Sequence, residues 1–138
     1  VHAALGDSEA AVSSYNKAIE IKPDYAEPYN NLGIILKENK DKFSAMALYK
    51  KSLILKPDFP ECQSNLGEMH LVEGNLQIGA EYQKKALQIS PCFATAYIRM
   101  GRGEKEAGNF TTAIKNYFRA IEINPRGLSS FLFFGAAT

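Results

Sequence analysis

The groups best suited to nucleophilic or soft-metal chemistry in this sequence are His2, Cys62, His70 and Cys92. A thiol–imidazole pair needs a thiolate, and thiolates form in basic surroundings. Neither cysteine sits in a basic cluster. A structural zinc site needs ligands grouped at short spacing, and here there is no Cys-x-x-Cys, no His-Glu-x-x-His and no phosphate-cradling glycine loop. His2 and His70 share the position, two repeats apart, where Leu36 packs, so both are expected on a packed helix face. The carboxylates are scattered over helix surfaces. The sequence therefore predicts no catalytic residue, no metal and no cofactor in this chain, and no enzymatic activity of its own.

A second chemistry is the primary amide. Asn31 and Asn65 stand 34 residues apart, each just before Leu-Gly. An amide donates to a carbonyl and accepts from an N–H at once, so amides repeated at a regular rise can hold an extended peptide backbone. Such a use requires elements that recur.

They do recur. Residues 31–59 read NLGIILKENKDKFSAMALYKKSLILKPDF, and residues 65–93 read NLGEMHLVEGNLQIGAEYQKKALQISPCF. Pro23, Pro57, Pro91 and Pro125 fall at one 34-residue step, as do Gly33, Gly67, Gly101 and Gly135. Small residues follow at Ala11, Ala45, Gly79 and Ala113, and again at Ala18, Ser52, Ala86 and Ala120. Within each copy the apolar residues recur at three and four, the helical spacing. Tyr29, Leu32, Gly33 and Leu36 mark one helix; Ala45, Leu48, Tyr49, Ser52 and Leu53 mark the next. Turns are predicted at residues 5–7, 39–41, 73–75 and 107–109, where Gly suits a left-handed residue and Asp or Asn an N-cap. Lys40 replaces Gly in one of them. Each second helix stops near its proline. Asp24 with Glu27, and Asp58 with Glu61, resemble capping boxes for the helices that follow. The small columns predict close helix crossings, with Gly33, Gly67 and Gly101 facing Ala45, Gly79 and Ala113.

A 34-residue helix–turn–helix unit with an aromatic–x–x–Leu–Gly start (YNNLG, residues 29–33), Tyr–x–x–Ala and a closing Pro (YNKAIEIKP, residues 15–23; YFRAIEINP, residues 117–125) resembles the tetratricopeptide repeat. The likeness covers nearly the whole chain. It implies an all-α helix–turn–helix solenoid, a right-handed superhelix with its concave face lined by first helices. The copies are expected at residues 26–59, 60–93 and 94–127, with partial ones at 1–25 and 128–138, as if cut from a longer array. Gly79 and Gln83 depart most from the pattern, so the copy at 60–93 is expected to be the softest, because a mid-helix Gly is about 1 kcal/mol worse than Ala.

Such an array implies a protein-interaction scaffold that takes an extended peptide or a partner helix in the groove. The groove residues expected are Asn30, Asn31, Ile34 and Lys37 from one first helix. The next supplies Ser64, Asn65, Glu68 and Leu71, and the third Arg99, Arg102 and Lys105. The two asparagines resemble the amide ladder of the O-linked N-acetylglucosamine transferase and SPINDLY-like arrays, with Arg99 breaking the third rung. That resemblance implies an alternative: the substrate-recruiting arm of a glycosyltransferase whose catalytic domain lies elsewhere. A clamp for a C-terminal carboxylate is not expected, since only Arg99 fits it.

The remaining limits come from composition. The chain has 138 residues and net charge +1, so no strong field draws in nucleic acid or an anionic membrane. The longest apolar run, Phe131 to Phe134, is far below a membrane span. No signal peptide is recognisable at the start. Two cysteines favour a reducing compartment, cytoplasmic or nucleocytoplasmic. Phe131, Phe133 and Phe134 invite end-to-end self-association.

Overall fold

The computed structural model describes residues 2–126, and side chains from Asp7 onward. Among these residues there are seven α-helices and no strand: α1 (His2–Ile21), α2 (Ala26–Glu38), α3 (Lys42–Leu55), α4 (Pro60–Val72), α5 (Leu76–Ile89), α6 (Ala94–Glu106) and α7 (Phe110–Ile123). Two compact units divide the chain, residues 1–66 and 67–138, with the boundary inside α4. The all-α, helix–turn–helix reading is therefore correct.

In the first unit α2 packs on α1 and α3. The core holds Ala26, Leu32, Ala45, Tyr49, Phe59, Cys62 and Leu66. Gly33 is small because a ring needs its place. A Cβ there would lie 2.6 Å from Cε1 of Tyr49, whose side chain is fully buried. Ser52 stitches the same pair of helices by donating its hydroxyl to the Ala26 carbonyl at 2.8 Å. In the second unit α6 packs on α5 and α7. Gly101 meets the Tyr117 ring as Gly33 meets Tyr49. Thus the glycines do mark close crossings, but in two copies the neighbour is the tyrosine ring rather than the small residue four positions earlier.

The copy at residues 60–93 is built differently. Gly67 and Gly79 approach backbone to backbone: a Cβ on Gly67 would lie 2.9 Å from the Gly79 carbonyl oxygen. Gln83, fully buried, stands where the other copies have tyrosine. Leu71 folds into the space over Gly79, where a Cβ would sit 2.5 Å from its Cδ2.

The turns inside the copies are alike. Lys40, Gly74 and Gly108 have φ of 67°, 87° and 85°. Glycine takes this conformation without strain, whereas Lys40 carries a Cβ penalty of about 1 kcal/mol. Asp41 caps α3, its carboxylate accepting from the Ser44 N–H at 3.2 Å. Asn75 and Asn109 hold the equivalent cap positions but make no side-chain cap bond. Asn109 instead donates to Glu104.

Two expectations need correction. No turn forms at residues 5–7, because α1 runs unbroken from His2 to Ile21. Continuing the helix through these residues adds one backbone hydrogen bond per residue. Nor does Asp24 cap α2. Tyr25 holds that position without a side-chain bond, and Glu27 accepts from Lys56 Nζ at 2.9 Å. That hydrogen bond holds the Glu27 carboxyl below its ordinary range and the Lys56 ammonium above its own. Helix α4 starts directly at Pro60, a residue suited to a first helical position. Phe131, Phe133, Phe134 and the truncated copy at 128–138 lie outside the described residues.

Candidate functional site

The first helices α4 and α6 frame a cavity of about 390 Å³ within residues 67–138. Its apolar lining comes from Leu71, Val72 and Leu76, the last just after the α4–α5 turn. The polar wall consists of Glu68, Arg99, Arg102 and Glu106. Glycine makes the room: Gly103 faces Leu71 and Leu76, and a Cβ there would come within 3.1 Å of Leu71 Cδ2.

Charge in the wall is organised around one carboxylate. Glu68 Oε2 lies 3.3 Å from Arg99 Nε and 3.8 Å from Arg102 Nη1. Glu68 and Arg99 are mostly buried, while Arg102 is half exposed. With Glu106 the wall carries two carboxylates and two guanidiniums, balanced in charge, and Arg102 is its half-exposed cation. It can hold an anionic group beside an apolar one.

The structure thus brings Glu68, Leu71, Arg99 and Arg102 to one cavity. Lys105 is on the same helix, exposed, and outside the lining. In the other unit Asn31, Ile34 and Lys37 are half-buried along α2. Four of the expected side chains prove to be buried: Asn30, Ser64, Asn65 and Leu71. Asn65 is 7% exposed. Its Nδ2 donates to Asn30 Oδ1 at 3.0 Å. The amide expected to hold a ligand backbone therefore ties α4 to α2, since a buried amide must find a partner. Leu71 is also 7% exposed and serves as the cavity's floor rather than as a projecting contact.

Two of the nucleophile candidates, Cys62 and His70, are engaged in packing. Cys62 is buried and donates to the Tyr49 carbonyl at 3.4 Å. Burial pushes its thiol up to about 11. His70 stacks on Tyr82 with ring centroids 5.7 Å apart. Among the described residues no group of three His, Cys, Asp or Glu side chains could hold a metal ion, and no helix is long and apolar enough to cross a membrane. One consequence is measurable. In native protein a thiol reagent should titrate one cysteine promptly, the exposed Cys92. Cys62 should react only in denaturant, and Cys62→Ser should leave the prompt count unchanged.

Residues 1–40 match the family model described as TPR repeat, and residues 26–59 match that described as tetratricopeptide repeat. With the 34-residue helical pairs continuing to Ile123, the chain is a tetratricopeptide-repeat array. Solved structures agree on the fold. A crystal structure of MamA is 24% identical, covering 88% of this chain and 71% of its own, at a TM-score of 0.72. Another of the MamA protein is 22% identical, covering 91% and 68%, also at 0.72. MamA from residue 41 to its end, from Desulfovibrio magneticus RS-1, is 20% identical, covering 90% and 70%, at 0.72. No curated protein matches the chain. These neighbours lend no support to the resemblance to glycosyltransferase arrays.

Proposed function

We propose that this array is a protein-interaction scaffold whose α4–α6 cavity receives a side chain of an extended peptide. The supporting observation is the cavity's composition: an apolar floor of leucine and valine beside the half-exposed guanidinium of Arg102. A large apolar side chain fills such a floor, and a neighbouring acidic residue meets Arg102. Asn31, Ile34 and Lys37 on α2 are a separate set of candidates for peptide contacts within residues 1–66. Asn65 is not, because its amide is engaged with Asn30. No specific observation favours the glycosyltransferase-arm reading.

The test is a panel of labelled peptides carrying leucine or phenylalanine next to glutamate, read by fluorescence anisotropy. Val72→Lys places a charge on the exposed lip of the floor and should weaken binding roughly tenfold. Arg102→Ala removes a half-exposed partner and should weaken acidic peptides about three- to fivefold, flattening their salt dependence. Alanines at the exposed Lys17 and Lys115 should change nothing. Should the lysine pair matter while Val72 and Arg102 do not, the cavity is not the binding site.

A further inference from the structure

A different surface departs from what the repeat requires. The 34-residue period supplies internal controls: residues at one step occupy the same place on their helices. The outward positions 43, 47 and 54 of α3 correspond to Glu9, Ser13 and Glu20 of α1. They also correspond to Gln77, Glu81 and Gln88 of α5, and to Thr111, Lys115 and Glu122 of α7. All nine of those residues are exposed and polar. In α3 the same positions are Phe43, Ala47 and Ile54, with Phe43 at 89% and Ile54 at 74% exposure. Packing within the array explains none of them, because they touch little of it.

Their geometry is ordered. At about 100° per residue, Phe43, Ala47 and Ile54 fall within about 40° of arc and extend about 16 Å along the helix. Lys50 borders that strip on one side, about 20° away, and Lys51 on the other, about 40° away. Residues 43, 47, 50 and 54 are spaced four, three, four, the rhythm of a helix seam that receives another helix alongside. Helix α3 also carries three lysines and no acid, unlike α1, α5 and α7. No cavity described above includes these residues, so the surface offers a ridge to pack against rather than a slot.

We propose that the outer face of α3 docks an acidic amphipathic helix of a partner protein. The partner's apolar side chains, repeating every three or four residues, cover Phe43, Ala47 and Ile54, and its carboxylates meet Lys50 and Lys51. A second copy of the same face is excluded as occupant by its own lysines, since a symmetric pairing would set like charges together. A lipid surface fits less well. Two large apolar side chains offer little area to insert, and binding of interfacial helices scales with that area.

The test uses the whole chain and a labelled synthetic helix of about 20 residues, with leucine at the seam positions and glutamate on both flanks. A matched peptide carries lysine for glutamate. Anisotropy should show the glutamate helix binding the wild type. Phe43→Ser with Ile54→Ser should weaken it roughly tenfold or more, while thermal unfolding by circular dichroism stays unchanged because both residues are exposed. Lys50→Glu with Lys51→Glu should reverse the preference toward the lysine helix. Val72→Lys, in the cavity, should have no effect, which keeps this surface distinct from the peptide site. The proposal is overturned if neither peptide binds, or if the serine variant binds as well as the wild type. It is equally overturned if phosphatidylserine-containing phosphatidylcholine vesicles, and not the glutamate helix, bind in a Phe43- and Ile54-dependent way.

Discussion

Tyr49→Ala should lower the stability of the first unit by about 3–5 kcal/mol in urea unfolding. Tyr49 is the largest fully buried side chain among the described residues, and its ring lies directly on Gly33. Truncation removes the apolar contact and leaves a cavity that two helices cannot easily close. Gly33→Ala should also destabilise, for the opposite reason. Its Cβ would stand 2.6 and 2.8 Å from two ring carbons with no room to retreat. Overpacking of this kind is worth about 1–3 kcal/mol, offset by about 1 kcal/mol of improved helix propensity. The two changes should not add. In the double variant the new methyl fills part of the vacated space, so Gly33→Ala should raise the stability of the Tyr49→Ala background by about 1 kcal/mol. Simple additivity of the two losses would show that the ring–glycine contact is not what holds this crossing together.

Glu68→Ala should be the most damaging change in the cavity wall, at about 2–3 kcal/mol. Glu68 is 15% exposed and faces Arg99, which is 17% exposed. Removing the carboxylate leaves a mostly buried guanidinium without its closest anion, with a second cation nearby at Arg102. Breaking a fully buried pair is worth about 3–5 kcal/mol, and residual solvent access places this one lower. The control is Glu68→Ala with Arg99→Met. With both charges gone, stability should recover by more than half, since the penalty comes from the stranded cation rather than from a lost attraction. Equal losses in the single and double variants would mean that Glu68 acts through packing alone.

The period made most of the fold readable before any coordinates. Prolines, glycines and small residues at one step define where α2 to α7 begin and end, and the left-handed turn residue was legible even where Lys40 occupies it. Residues 5–7 carry a turn signal of Gly and Asp, yet α1 runs through them, because such a signal is local and a helix can absorb it. The site was only partly legible. Helical spacing identified Glu68, Leu71, Arg99 and Arg102 as sharing the first-helix face, yet gave no hint that Glu68 lies between the two arginines. Pairing depends on side-chain reach across helices, which spacing along one helix does not encode. Asn65 shows the same gap: its position is periodic with Asn31, but its amide reaches Asn30 instead. The apolar strip on α3 is present in the letters, but net charge hides it by averaging a lysine-rich helix with acidic ones.

Leu71 and Gly79 have a consequence for how such arrays diverge. A newly duplicated set of copies begins with interchangeable sites, so none can recognise anything its siblings do not. At position 79, an alanine like Ala45 or Ala113 would put a methyl 2.5 Å from Leu71. That leucine would be displaced toward the neighbouring cavity. The lost methyl alone does not make the floor: Leu71 and Val72 stand where the neighbouring copies have Lys37 and Lys105, and Glu38 and Glu106. An individual site here combines subtraction at the crossing with apolar replacement on the first helix. In this chain the copy furthest from the shared pattern is also the one that supplies the cavity floor, so a departure that weakens the repeat as a repeat is what lets one copy differ from its siblings.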